Sequence, residues 1–182
     1  MLKSKIRNKL LKTRKNSNKR NIQIKFDKIY KLLKKTTNLR NKIVGGYYPV
    51  NYEIDDLDIL GRLEKKKITI SLPSIKKNYK MNFIKCSLNA PFVINQYGIP
   101  EPSSGTVVNP DILLVPLVAF DKNLNRLGYG GGYYDRLIES LKKKKKIITI
   151  GLAFDFQESN SIPTSKYDQK LDYIVTNKNI LK

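Results

Sequence analysis

Residues Asp111 to Arg136 read DILLVPLVAFDKNLNRLGYGGGYYDR, and the succession of patterns inside them decides the architecture. The opening DILLVPLVAF is almost continuously apolar over the length of one strand, the pattern of a strand covered on both faces. It is expected to be central in its sheet. A glycine-rich loop follows, and then YYDRLIESLKKKK sets Tyr134, Leu137, Ile138 and Leu141 at helical spacing, before KIITIGLAF supplies another strand. Strand, loop, helix, strand is the βαβ order of a layered α/β fold, in which ligands gather at the carboxyl ends of the strands.

Upstream, Leu2, Ile6 and Leu10 recur every fourth residue, and Ile22, Phe26, Ile29, Leu32 and Leu33 repeat the pattern more broadly, so two helices are expected with a turn at KNSNKR between them. KIVGGYYPV reads as a short buried strand. NYEIDDLDILGRLEKKK then puts Ile54, Leu57, Leu60 and Leu63 on one helical face, with Glu53, Asp55 and Asp56 in a first turn where the helix dipole favours them. ITISLPSI and KMNFIKCSL read as strands, NQYGIPEPSSGTVVNP as a loop, and LDYIVT as a last strand. No internal repeat is visible, and residues 1–182 are expected to form one domain.

The 182 residues include 36 Lys and Arg against 15 Asp and Glu, a formal charge of +21 that favours polyanions. A basic nucleic-acid-binding protein is therefore the alternative reading, although the lysines are spread along the chain and include the solvated run Lys142 to Lys146. With a single cysteine, Cys86, there is no intramolecular disulfide, and with no histidine there is neither a histidine base nor a histidine-ligated zinc. No apolar run reaches membrane-spanning length, and the N-terminus lacks the apolar core of a secretory signal, so a cytoplasmic location is expected.

The loop Gly128, Gly130, Gly131, Gly132 fits neither the dinucleotide fingerprint nor the Walker pattern. It precedes a helix N-terminus, where free amides and the dipole can hold phosphate oxygens; a tight strand-to-helix turn explains it equally. Arg126 and Arg136 flank it as possible phosphate partners, and Asp135 suits either a helix cap or a magnesium ligand. Lys3 and Arg7 share one helix face, an arrangement that a solvated surface also produces. Several tyrosines, Tyr47, Tyr48, Tyr97, Tyr129, Tyr133 and Tyr134, offer flat walls for a ring system, or simply core packing.

Taken together, these pieces resemble one family. LLVPLVAFDKNLNRLGYGGGYYDR is similar to the C-terminal signature of the 5-formyltetrahydrofolate cyclo-ligases, also called methenyltetrahydrofolate synthetases. KSKIR (residues 3–7), YYPVNYEID (47–55), YGIPEP (97–102) and IPTSKYDQKLDYIVT (162–176) resemble the family's other segments, in the right order. The resemblance implies a three-layer α/β/α sandwich with a mainly parallel central sheet, Rossmann-like and of the NagB/RpiA/CoA-transferase-like type. It also implies a cytoplasmic, monomeric enzyme using ATP and Mg2+ to convert 5-formyltetrahydrofolate to 5,10-methenyltetrahydrofolate with release of ADP and phosphate.

Carried onto this sequence, the resemblance implies that Lys3, Ser4, Lys5, Ile6 and Arg7 bind ATP together with Arg126, Leu127, Gly128, Tyr129, Gly130, Gly131, Gly132, Tyr133 and Tyr134. Arg126 would stabilise the transferring phosphoryl group. Tyr48 and Glu53 would hold the folate, with Tyr129, Gly130, Gly131, Gly132 and Tyr133 where the two substrates meet, and Asp135 and Asp172 would be the magnesium ligands. Two positions depart from many family members: Tyr129 and Gly131 stand where a basic residue occurs in the loop, and Tyr167 stands where a histidine precedes the C-terminal aspartate.

Overall fold

The computed structural model describes residues 2–17 and 22–182. Helix α1 (Leu2–Ser17) takes in the first three residues of the expected KNSNKR turn, whose remainder lies outside the described residues. Helix α2 (Phe26–Thr36) begins later than the apolar pattern, so Ile22 and Ile24 precede it. The chain then runs through β1 (Ile43–Gly45), α3 (Leu57–Lys65), β2 (Thr69–Lys76), β3 (Lys80–Lys85), β4 (Phe92–Ile94), β5 (Pro100–Pro102) and β6 (Val107–Val108). It continues with β7 (Ile112–Pro116), β8 (Ala119–Phe120), β9 (Arg126–Leu127), α4 (Tyr133–Lys144), β10 (Ile148–Ala153), β11 (Tyr173–Thr176) and β12 (Ile180–Leu181).

Eight strands form one sheet in the order β12-β11-β10-β7-β1-β2-β3-β6. The five strands from β11 to β2 are parallel, and the antiparallel strands sit at the edges. β7 is interior, with Ile112 aligned to both Val44 and Ile148. Its side chains alternate between two cores: Ile112 and Leu114 join Leu33, Leu60 and Leu63 under α2 and α3, while Leu113 and Val115 join Ile138 and Leu141 under α4. Helices therefore cover both faces, which is why β7 is apolar throughout and why the fold has three layers. Helix α1 makes a smaller contact of its own, with Ile6 and Leu10 against Ala119, Leu127 and Ile162.

Three expectations are corrected. The apolar run breaks at Pro116, which has no N–H to continue a ladder, and Ala119 and Phe120 instead pair antiparallel with Leu127 and Arg126. The segment expected to be a loop after Ile94 contributes to the β4–β5 hairpin and to β6. Helix α3 starts only at Leu57, because Asn51 and Tyr52 take left-handed backbone conformations, so Glu53 lies in the loop before the helix. Among the described residues, no helix is long and apolar enough to cross a membrane.

From β1 the chain moves to β2 on one side, whereas from β7 it moves to β10 on the other. The connections diverge at the β1–β7 junction, and such divergence opens a crevice at the carboxyl ends of the strands.

Candidate active site

A cleft of about 800 Å³ occupies that crevice. Tyr47 and Tyr48, just past β1, line it on one side, and Pro116 at the end of β7 and the loop Gly128 to Gly132 line it on the other. The glycines are needed for two physical reasons. Gly130 (φ 108°) and Gly132 (φ 67°) hold left-handed conformations that strain any side chain, and a Cβ on Gly132 would stand 2.8 Å from the Arg136 guanidinium. A Cβ on Gly130 would only touch Arg7, 3.4 Å away, so it is the backbone conformation that calls for glycine there. The side-chain-free turn leaves its backbone open to the cleft and to the arginines beside it. Gly132 starts α4 without any side-chain cap, so the helix presents its first amides and positive dipole end at this loop.

Cations surround the loop. Arg7 Nε donates to Gly128 O at 2.9 Å, and Lys3 Nζ lies 2.6 Å from Asp168 Oδ2, both side chains bordering the cleft. Arg126, only 8% exposed, places Nη2 2.8 Å from Asp135 Oδ1 and lies over the Tyr134 ring, while its Nε has no partner. Asp135 Oδ1 also accepts from Gln169 N at 3.0 Å. Burial works to raise the Asp168 carboxyl, but the Lys3 ammonium and the Ser165 amide outweigh it and hold the group below its usual range. Of the remaining N-terminal candidates, Ser4 and Lys5 are exposed and do not border the cleft, and Ile6 turns into the apolar contact with β8 and β9.

The same cleft also holds an unmet hydrogen-bond acceptor. Glu53 is 9% exposed; its Oε2 accepts from Val50 N at 2.9 Å, and its Oε1 has no partner. Burial pushes its carboxyl up to about 7, against the pull of the Val50 amide, Arg14 and Tyr129. Tyr47, also bordering the cleft, is locked by a 2.7 Å bond from its hydroxyl to Ile54 O. Behind it Asp56, wholly buried, accepts from Tyr47 N at 2.9 Å and leaves Oδ1 without a partner; burial drives its carboxyl well above the usual range. The Tyr134 hydroxyl is buried without a partner as well. At the rim, Tyr97 on the β4–β5 hairpin meets Tyr133 across 2.7 Å between hydroxyls, and that contact first, with burial second, pushes Tyr133 up to about 12.

The structure therefore brings Lys3, Arg7, Arg126, Tyr48, Glu53, Asp135 and the loop from Leu127 to Tyr134 to one cleft, but not Asp172. Asp172 lies immediately before β11, at the amino end of a parallel strand, where Oδ2 accepts from Thr149 N at 2.8 Å and from Thr149 Oγ1 at 2.7 Å. That corrects the expectation of a second magnesium ligand: the carboxylate ties β10 to β11 on the far side of the sheet. Sequence reasoning missed Asp168, although it lies within the C-terminal segment IPTSKYDQKLDYIVT, and missed Arg14, which a lysine-rich helix hides among solvated charges.

Comparison with known proteins agrees along the chain. A model of the 5-formyltetrahydrofolate cyclo-ligase family matches residues 1–177. The 5-formyltetrahydrofolate cyclo-ligase of Haemophilus influenzae is 36% identical over 138 residues, covering 71% of this chain and 73% of its own, and that of Mycoplasma genitalium is 36% identical over 132 residues, covering 72% and 70%. The solved 5,10-methenyltetrahydrofolate synthetase of Aquifex aeolicus superposes with a TM-score of 0.81 at 32% identity, over 100% of this chain and 93% of that one. The Mycoplasma pneumoniae synthetase shares the fold, with a TM-score of 0.75 at 24% identity. With the signature loop lining the cleft and the family match running from the first residue to beyond β11, the chain belongs to the 5-formyltetrahydrofolate cyclo-ligase family.

Proposed function

We propose that this chain converts 5-formyltetrahydrofolate to 5,10-methenyltetrahydrofolate at the expense of ATP. One observation carries the reading: a single cleft gathers the glycine loop with the cations Lys3, Arg7 and Arg126, which suit phosphates, and Glu53, whose Oε1 has no partner. The loop and its cations suit the ATP triphosphate. Glu53 suits the amino and ring N–H donors of a pterin, and its unpaired oxygen penalises ligands lacking them. Tyr48 and the rim tyrosines give the ring flat walls.

An N-formyl group is an amide, whose oxygen is a very poor leaving group. Transfer of the γ-phosphoryl group to that oxygen converts it into phosphate. The neighbouring folate nitrogen, N10, then attacks the formyl carbon, the C–O bond breaks with phosphate carrying off the N10 proton, and the five-membered ring closes. No protein nucleophile is needed. The chain contributes positioning and charge: Arg126, held by Asp135 and Tyr134, meets the charge that builds on the transferring group.

Among the described residues no three His, Cys, Asp or Glu side chains form a closed metal site. Asp135, beside the loop on the cleft lining, fits an ion that takes one or two carboxylates and completes its shell from phosphate and water; Asp172, away from the cleft, does not. Bound at Asp135, magnesium would neutralise phosphate charge. The reading also places the enzyme in a reducing cytoplasm, where Cys86 stays a free thiol.

The test is direct. Purified protein with magnesium, ATP and 5-formyltetrahydrofolate is expected to produce the near-ultraviolet absorbance of the methenyl product, in step with ADP release. Absence of product with a folded protein contradicts the proposal.

A further inference from the structure

Arg14 is the most unusual charged side chain of the molecule. It is 2% exposed, in the last turn of α1, and its two hydrogen bonds go to neutral oxygens: Nη1 donates to Leu117 O at 3.2 Å and Nη2 to the Tyr129 hydroxyl. Its Nε has no partner. Burying a guanidinium among neutral acceptors is costly unless a counter-charge lies within reach. Arg14 stands seven residues after Arg7 on the same helical face, so both reach the glycine loop, Arg7 at Gly128 and Arg14 at Tyr129.

The counter-charge is Glu53. It too is buried, it lines the cleft together with Tyr129, and its Oε1 is unpaired. A phenol whose oxygen already accepts from Arg14 has its own proton left to donate, and Glu53, on the lining of the same cleft, keeps Oε1 free to accept one. The other titratable groups around Glu53 oppose this or are neutral: Asp56 is a second buried acid, and Tyr47 and Tyr134 hold their protons, since burial raises both well above the usual range. Lys3, Arg7 and Arg126 border the same cleft.

We propose that Arg14 is a positioning residue for the folate end of the cleft: it orients the Tyr129 hydroxyl as a donor toward Glu53 and supplies the buried positive charge that keeps Glu53 ionised for the pterin. The proposal rests on the reading that Glu53 receives the pterin. It makes α1 bifunctional, with Lys3 and Arg7 serving the nucleotide and Arg14, out of contact with either substrate, serving the folate through Tyr129.

The experiment is the pH dependence of KM for 5-formyltetrahydrofolate in wild type, Arg14→Met, Arg14→Lys, Tyr129→Phe and Glu53→Gln, with melting curves to verify folding. Affinity in wild type is expected to fall as pH drops through about 7, where Glu53 gains its proton. Removing the cation leaves the carboxylate harder to form, so Arg14→Met moves this limb to higher pH by about one unit or more. For a one-unit shift KM at pH 7 then rises by roughly fivefold, and by about tenfold below pH 6, while KM at alkaline pH and KM for ATP stay within about twofold. Arg14→Lys restores the wild-type limb in large part, and Tyr129→Phe shifts it upward by less than Arg14→Met. A limb that stays put in Arg14→Met, or a rise in KM that is equal at every pH, overturns the inference. Should Arg14→Met not fold, an unmoved limb in Tyr129→Phe overturns it instead. If Glu53→Gln retains the limb, the assignment of Glu53 to the pterin fails, and the role of Arg14 falls with it; a limb abolished by Glu53→Gln yet unmoved by Arg14→Met sinks the role of Arg14 alone.

Discussion

The two ends of the parallel strands treat buried polar atoms in opposite ways. At the amino ends every carboxylate is spoken for: Asp111 accepts from Ile43 N at 2.9 Å and meets Lys42 and Lys145, and Asp172 is gripped by Thr149. At the carboxyl ends, Glu53 Oε1, Asp56 Oδ1, Arg126 Nε and the Tyr134 hydroxyl are all buried without partners around one cleft. An unmet buried group costs stability, typically about 1–3 kcal/mol, and those that also line the cleft, Glu53, Arg126 and Tyr134, are within reach of a ligand that meets them. One end of the sheet holds the strands in register, and the other is left unfinished for substrates.

The largest expected effect lies at the unfinished end. Arg126→Met removes the cation expected to face the phosphoryl group and is expected to raise the barrier by about 2–4 kcal/mol, lowering kcat by a factor of roughly 30 to 10³. Steady-state kinetics beside a melting curve checks that turnover falls far more than stability.

Glu53→Gln sharpens the contrast through pH. Unfolded, Glu53 loses its proton near 4.5, whereas folded it keeps it up to about 7, so between those values the folded state holds a proton that the unfolded state has lost. Stability therefore falls as pH rises through that window and levels off above it. Glu53→Gln escapes the cost and is expected to be more stable than wild type above pH 7, by up to about 3 kcal/mol, with the difference vanishing below about pH 4.5. Chemical denaturation across pH measures this, and a variant less stable at pH 8 would contradict it.

The opposite end gives the mirror result. Asp172→Ala removes charge-assisted bonds to Thr149 and is expected to cost about 2 kcal/mol, lowering Tm by roughly 4–8 °C, while kcat per folded molecule and the magnesium requirement are unchanged. Asp135→Asn is expected to weaken the magnesium response, which Asp172→Ala leaves alone, and also to lower Tm, because it leaves the buried Arg126 without its charged partner. Smallest is Tyr97→Phe, which loses only the rim contact to the Tyr133 hydroxyl and is expected to change KM by less than about tenfold, around 1 kcal/mol.

The same contrast explains what was legible in the sequence. β7 announced itself because a strand covered on both faces has no polar positions, and the glycine loop because Gly130 and Gly132 take left-handed conformations and Arg136 packs close to Gly132. The β4–β5 hairpin, of two three-residue strands flanked by proline and glycine, has too short a pattern to be distinguished from a loop. Glu53 looked like the first turn of a helix, because only the left-handed Asn51 and Tyr52 reveal that α3 starts later. Arg14 carries no signal in a helix where basic residues recur on every face. Asp172 is the instructive miss: it immediately precedes a strand expected to be parallel, and a residue there belongs to the amino end, away from the loops that bind ligands.

Backbone amide NMR of the 182-residue chain, titrated first with a magnesium-bound non-hydrolysable ATP analogue and then with 5-formyltetrahydrofolate, tests the division of labour most directly. The expected result is that the nucleotide shifts amides of Lys3, Arg7 and Gly128 to Gly132, and that the folate then shifts Tyr47 to Glu53, while Asp111, Thr149 and Asp172 stay still. Shifts centred on the amino ends of the strands, or a glycine loop indifferent to nucleotide, would contradict it.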